Sequence, residues 1–470
     1  MDAIQYIGYG AYLITIIGVI LVVISENRNP IRTQAWILIL IFLPALGIML
    51  FYFFGQNNRK IRSISFKYKK WKGIHHSGLL ISKHPSNTPK EFASLARLLF
   101  QIDDSPVLQG SKVEIITSGP QKFDALLNDI EQATDHIHME YFIFNNDETG
   151  RKIKQTLMKK ASEGVKVRFL YDNVANIGVP SRFYNEMATT GVEVCPFMKL
   201  RFASFRSRVN YRNHRKVVVI DGHIGYIGGM NIGDNYAIKP NWRDTHLRIQ
   251  GRGVYALQIH FFNDWFSTLK KEIGNNGGNY FPVCQDYTNN LLQIASGGPN
   301  AQWSNLLQAT LNAVTSSKRY LYIQTPYFLP TDSLFEVLQI AALSGVDVRL
   351  MVSRKSDSSY TDPAARSYYG ELLRAGLRIF EHQTKFIHAK TMVADDYLSI
   401  IGSANMDFRS FESNFEINCY LYDAELAVQN KEIFFNDLEG CKEILLEEWE
   451  NRPWWKRVSE SVMRLFAPLM

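Results

Sequence analysis

One eight-residue pattern, His-x-Lys-x-x-x-x-Asp, occurs twice in this chain, 174 positions apart. His214, Lys216 and Asp221 form the first copy, and His388, Lys390 and Asp395 the second. Each copy is followed at the same offset by Gly-x-x-Asn, ending in Asn231 and Asn405. A single short pattern of this kind is a weak signal, but two copies with matching downstream tails mark an internal duplication. At 470 residues the chain also exceeds what one hydrophobic core usually organises. The fold therefore has to be something that can be built twice and paired.

The duplication extends upstream of the motifs. Ser118-Gly-Pro, a helical stretch with Phe123, Leu126, Leu127 and Ile130, and an apolar strand beginning at His136 precede the first copy. A helical pattern over 149–163 and a strand over 164–171 follow. The same order recurs before the second copy, with strands over 321–327 and 345–352 around a helix over 332–344. Strand–helix–strand order with apolar strands predicts an α/β fold with largely parallel sheets in both halves. Twin domains that face each other across a pseudo-two-fold axis would bring both His-Lys pairs into one site. Two separate sites are the alternative, but one histidine does not easily serve as both nucleophile and leaving-group acid.

Side-chain alternation sorts the motif. Residues 216–220 read as a strand, Asp221-Gly222 as a hairpin turn and 223–228 as the return strand. His214 and Lys216 are two apart and share a face, as do His388 and Lys390, whereas each Asp lies seven residues from its His and falls on the other face. Asp221 and Asp395 belong to the candidate catalytic motif, yet this parity makes them turn anchors or partners of a structural cation. Better candidates for orienting the histidines are Asp244 and Glu416, 30 and 28 residues beyond the His of their own half. A buried carboxylate on one imidazole nitrogen fixes the tautomer and stabilises the imidazolium.

The N-terminus predicts a membrane protein. Residues 4–24 and 34–55 are uncharged runs of 21 and 22 residues, each reaching about 30 Å as a helix. Pro44 and Gly47 mark a kink in the second. Residues 26–33 make the connection tight, so residues 1–56 read as a two-helix transmembrane hairpin. Seven Lys and Arg side chains between 59 and 72 predict a cytoplasmic body and a basic juxtamembrane linker over 57–110. Residues 111–285 and 286–452 are then the two domains. Residues 453–470, which begin near Trp454-Trp455-Lys456-Arg457, read as an interfacial amphipathic tail. A net charge of +7 favours anionic partners, either nucleic acid or acidic lipid. Cys195, Cys284, Cys419 and Cys441 show no paired spacing, so neither a zinc site nor a disulfide framework is expected.

The two motifs resemble those of the phospholipase D superfamily. The membrane hairpin, Glu26-Asn-Arg-Asn-Pro30, Trp242-Arg-Asp-Thr-His-Leu247 and the terminal Ala467-Pro-Leu-Met narrow the resemblance to the bacterial cardiolipin synthases, over essentially the whole chain. That resemblance implies tandem phospholipase D-like αβ domains with pseudo-two-fold symmetry. It implies that one motif histidine attacks phosphorus, with His214 the favoured choice, while His388 acts as acid and then base. Lys216, Lys390, Asn231 and Asn405 would bind phosphate oxygens, with Ser403 assisting; the first copy has Gly229 at that position. The implied substrate is phosphatidylglycerol in a bacterial inner membrane, with no metal or cofactor. Hydrolysis of phospholipid is the nearest rival. A membrane-anchored nuclease would use the seven cations of 199–216, but two spans and an interfacial tail do not help reach a soluble polymer, so no nucleic-acid partner is expected. A non-catalytic lipid-binding scaffold is disfavoured because both motifs are intact.

Overall fold

A computed structural model of the chain describes residues 14–21, 24, 30–51, 91–198, 211–269, 280–358 and 360–467. The chain divides into two compact units, Met1–Ser63 with Leu200–Asn210, and Ile64–Lys199 with Tyr211–Met470. In the first unit, helices span Pro30–Phe42 and Pro44–Leu50. They are separated at Leu43, whose backbone (φ −132°, ψ 62°) leaves the helix ahead of a proline with no N–H to give. Val19 and Ile20 pack with Trp36, Leu40, Ile48 and Phe51, as two antiparallel apolar helices would. Among the described residues no helix is long and apolar enough to cross a membrane. Most of the expected first span lies outside the described residues, as do residues 52–90 and 199–210.

The second unit is built on two sheets of matching topology. The first orders its strands Lys112–Ile116, His246–Gln250, Ile224–Gly228, Lys216–Ile220, His136–Tyr141, Lys166–Asp172 and Glu193–Phe197. The second repeats this order with Leu291–Gly297, Glu416–Tyr422, Leu398–Gly402, Thr391–Ala394, Tyr320–Gln324, Asp347–Ser353 and Arg378–His382. It adds Leu108–Gln109 at one edge and Cys441–Ile444 at the other. The sheets are mixed, which corrects the expectation of largely parallel ones. Within these two sheets, only the strands joined by helical crossovers, such as Glu148–Ser162, run parallel. The motif strands form antiparallel hairpins, which need no crossover.

Alternation within these strands divides the core into layers. Val218 and Ile220 face the outer helices of the first half, among Phe123, Leu126, Ile153 and Phe183. Val217 and Val219 face inward, where Ile227, Leu247 and Ile249 meet Ile294, Ile401, Ile417 and Cys419 of the second sheet. The halves thus pack sheet against sheet, and Val254 and Leu257 of helix Gly253–Leu269 and Leu426 of helix Ala424–Leu438 fill the same inner layer. Strands apolar on both faces are what such a sandwich demands, and each fully buried Val or Ile contributes about 1.5–3 kcal/mol.

The linker expected over 57–110 ends earlier. Helix Ala93–Asp103 buries Phe92, Leu95, Ala96 and Leu99 in the core of the second half. Asp103 accepts from the Ser296 amide at 2.7 Å and from Asn305 at 3.1 Å. Leu108–Gln109 then pairs with Leu291–Gly297. The basic cluster ahead of it obscured an apolar helical period that starts at Phe92.

Candidate active site

Each motif strand ends in a turn whose two central residues have positive φ: Asp221 (49°) and Gly222 (70°), then Asp395 (55°) and Asp396 (57°). This is the hairpin geometry that favours Asn, Asp and Gly. From that turn the motif carboxylates reach the start of the neighbouring strand, away from the imidazoles. Asp221 accepts from the amides of Thr134 (2.7 Å), Asp135 (2.9 Å) and His136 (2.8 Å). Asp395 accepts from those of Lys318 (2.7 Å), Arg319 (2.8 Å) and Tyr320 (3.1 Å). The third letter of the motif therefore clamps helix–strand junctions, while the two motif imidazoles bond to Glu416 and Asp244 instead.

The carboxylates that hold the imidazoles come from the opposite halves. His214 Nδ1 lies 2.9 Å from one Glu416 oxygen and 3.0 Å from the other. His388 Nδ1 lies 2.6 Å from Asp244 Oδ2. Spacing along the chain associates Asp244 with His214 and Glu416 with His388, and the fold exchanges them. The backbone shows how. Phe386–Ile387 pairs with Trp242–Arg243, and the His388 amide donates to Arg243 O at 2.7 Å. Asn213 bridges Phe415, and the His214 amide donates to Phe415 O at 3.0 Å. Each histidine is thus strand-paired with the segment that delivers its carboxylate.

Both lysines fold back onto their own motif. Lys216 Nζ donates to His214 O at 2.5 Å, and Lys390 Nζ donates to His388 O. All four motif side chains are buried or nearly so. Burial pulls Lys216 down to about 7 and Lys390 to about 8, against the opposing pull of Glu416 and Asp244. Burial and the Lys390 charge bring His388 to about 4, and burial lowers His214 as well, with Glu416 opposing it. Burial alone would raise Asp244 and Glu416, but the facing imidazoles and lysines override it and hold both below the usual carboxylate range. Residues from both halves therefore act on one another's charge, as members of one site. Burial is the main cause at both lysines, so an anion bound between them would favour their charged forms.

The remaining candidates divide. Ser403 Oγ donates to Glu416 Oε2 at 2.5 Å and accepts from the Ile417 amide at 3.0 Å, so it braces the carboxylate that holds His214. At the matching position a Cβ on Gly229 would lie 2.1 Å from Asp244 Oδ1. Asn231 accepts from the Ile143 amide at 3.2 Å and donates to Tyr236 Oη at 2.7 Å. Asn405 donates to Asp407 at 3.0 Å while its Oδ1 is buried without a partner. Each amide nitrogen has a second N–H to offer. Aromatic rings wall the imidazoles: Phe142 at 4.7 Å from His214, and Tyr236, Trp242 and Phe386 within 5.6 Å of His388. Among the described residues no group of His, Cys, Asp or Glu is arranged to hold a metal ion.

Sequence reading missed the second layer of support. Arg215 ion-pairs with Asp264 and donates to Glu416 O at 3.1 Å. Arg243 ion-pairs with Asp437 at 2.8 Å, and Gln324 donates to the same carboxylate at 2.8 Å. The signal was present: Phe261-Phe262-Asn263-Asp264 recurs as Phe434-Phe435-Asn436-Asp437. An acid at a buried helical position, repeated in both halves, demands a buried cation.

The comparisons agree with this geometry. Residues 126–265 and 310–438 match the family model described as cardiolipin synthase, PLD-like domain, and residues 10–56 match one described as phospholipase D-nuclease N-terminal. The major cardiolipin synthase ClsA of Bacillus subtilis is 37% identical over 98% of both chains. The cardiolipin synthase of Listeria innocua is 36% identical, covering 98% of this chain and all of its own. Among solved structures, phosphatidylserine synthase of Haemophilus influenzae superposes with a TM-score of 0.59 at 16% identity, over 80% of this chain and 98% of its own, a likeness of fold alone. A duplicated HKD site and full-length similarity of this extent place the chain in one family: it belongs to the cardiolipin synthases with phospholipase D-like domains.

Proposed function

We propose that the chain condenses two molecules of phosphatidylglycerol into cardiolipin and glycerol through a phosphatidyl-histidine. The observation that carries the mechanism is the crossed pairing of each imidazole with the other half's carboxylate. With Nδ1–H held by Glu416, His214 presents the Nε2 lone pair to phosphorus. A P–N bond forms as the P–O bond to glycerol breaks, and protonated His388 gives its Nε2 proton to the departing oxygen. His388 then takes the proton from the free hydroxyl of a second phosphatidylglycerol. That oxygen attacks phosphorus, the P–N bond breaks, and both histidines return to their starting states. One phosphodiester replaces another, so the exchange needs no nucleotide. Lys216, Lys390, Asn231 and Asn405 stabilise the equatorial oxygens. Substrate charge raises the depressed His388 toward the protonation its first role requires.

In the same reading residues 10–56 carry a membrane hairpin, its second helix broken at Pro44, and the cations between 59 and 72 keep the body on the cytoplasmic side. Incubation with labelled phosphatidylglycerol tests the chemistry. Cardiolipin plus glycerol is expected, whereas phosphatidic acid plus glycerol means that water is the acceptor. His214→Ala and His388→Ala are each expected to lower turnover by about 10⁴-fold or more. Near-normal turnover in either variant would refute a shared site. An acid-trapped lipid adduct belongs on His214; finding it on His388 would reverse the roles.

A further inference from the structure

The helix Trp454–Arg464 is amphipathic, and it is mounted the wrong way round for a helix of a soluble body. At 100° per residue, Trp454, Trp455, Val458, Val462, Leu465 and Phe466 fall within an arc of about 120°. That arc faces outward: Trp454 is 74% exposed, Leu465 77% and the other four between 48% and 56%. The opposite side, Glu460, Met463, Arg464 and Ala467, is the one that meets the protein. Much of what holds it there is polar. Glu460 pairs with Arg452 at 3.1 Å, and Arg464 pairs with Glu371 at 3.0 Å while covering the Tyr368 ring at 4.3 Å. Arg452 lies over Trp449 at 3.2 Å, and Trp449 packs against Tyr369 at 5.4 Å, which pins the root of the helix. The helix is therefore fastened by ion pairs on one side and offers a continuous apolar stripe on the other.

We infer that this helix is a rigid keel through which the catalytic body rests on an anionic bilayer, its stripe sunk at the level of the headgroups and upper acyl chains. Two observations commit the stripe to lipid over a second copy of the chain. Tryptophans at positions 454 and 455 directly precede exposed Lys456 and Arg457, the pairing of interfacial aromatics with cations that suits an acidic membrane surface. A parallel pairing of two such helices would also set each Lys456 and Arg457 level with its twin. The keel is distinct from the membrane hairpin, because it belongs to the compact unit that holds the active site. Its partner chemistry rests on the reading of the substrate as an anionic phospholipid.

The test uses the full chain in vesicles of phosphatidylglycerol and phosphatidylcholine with brominated acyl chains. In a Trp36→Phe background, which removes the tryptophan of the hairpin, emission should be quenched, and the quenched component should fall sharply when Trp454→Phe/Trp455→Phe is added. A second variant, Val458→Asp/Val462→Asp, should lose about tenfold of its turnover on vesicle substrate. The same variant should keep its turnover on a short-chain, monomeric phosphatidylglycerol, which also shows that it is folded. Unquenched tryptophans, or equal losses on both substrates, would overturn the keel. So would unquenched tryptophans together with self-association that the Asp variant abolishes, which would assign the stripe to a second copy. Absence of turnover on either substrate by the wild-type chain would refute the proposed reaction instead, and the quenching result would still decide the keel.

Discussion

At His214 the orienting carboxylate is the longer Glu416, and two side chains steady it: Ser403 at 2.5 Å and Asn414 at 3.2 Å. At His388 the carboxylate is the shorter Asp244, steadied by the Thr245 amide at 2.7 Å and set against Gly229, where there is no side chain at all. Duplication has kept the task, an imidazole held by the other half's acid, while the support has diverged. A Glu has more rotamers to lose and needs added donors to fix it. An Asp is short enough to be fixed by the backbone, provided the backbone comes close. The halves are alike in chemistry and not interchangeable in parts.

The largest way to break this comparison is to remove the acids. Glu416→Gln and Asp244→Asn should each lower turnover on labelled phosphatidylglycerol by about 10³–10⁴-fold, because the imidazolium loses its counter-charge. Crossing further requires that Glu416→Gln, and not only a change near residue 214, abolish the acid-trapped adduct on His214. Next comes exchange of the supports. Gly229→Ser would drive a Cβ to 2.1 Å from Asp244 Oδ1, and displacing that carboxylate should cost about 100-fold in kcat. Ser403→Ala removes one hydrogen bond to Glu416 and should cost about tenfold. A mild Gly229→Ser beside a severe Ser403→Ala would invert the assignment.

A smaller effect tests the crowding of charge. Lys216 and Lys390 titrate near 7 and 8 when folded, below the ordinary 10.5, so the unfolded chain binds more protons in that interval. Stability of the unliganded chain therefore rises with pH from about 7 toward 10.5. A bound anion reverses the depression, so binding takes up protons. Sulfate should raise Tm more as pH falls from about 9 to about 7, and Lys216→Met should flatten that trend. The smallest effect on turnover belongs to the clamps. Asp221→Asn and Asp395→Asn should each cost about 1–3 kcal/mol in a denaturation midpoint, with turnover per folded molecule changed less than about threefold. Burial would raise the Asp221 carboxyl, but the amides of His136, Thr134 and Asp135 hold it low. Its contribution is thus present at neutral pH and lost as pH falls below about 3.8.

What the sequence made legible was local or repeated. The His-Lys pairs, the hairpins, the duplication and the demotion of Asp221 follow from spacing and parity, which strands obey. Asp244 and Glu416 were found as candidates, but their partners were not, because which half supplies an acid is decided by strand pairing between segments far apart in the chain. Ser403 was read from its place in the motif tail, which says nothing of the acid 13 residues further on that it braces. Helix Ala93–Asp103 was hidden behind the cations that precede it. Arg215 reads in sequence as one more basic loop residue, because nothing local marks Asp264, 49 residues on, as its buried partner.

The short strands that carry each histidine across to the other half set an order of events in synthesis. A ribosome delivers His214 and Lys216 long before Glu416, and His388 waits for no missing partner because Asp244 is already made. The growing chain can complete its first sheet while still lacking the acid for the first imidazole. On the proposed mechanism, a copy synthesised only that far is mute. On the same mechanism, competence arrives only once the strand that begins at Glu416 is in place, with Phe415 beside Asn213.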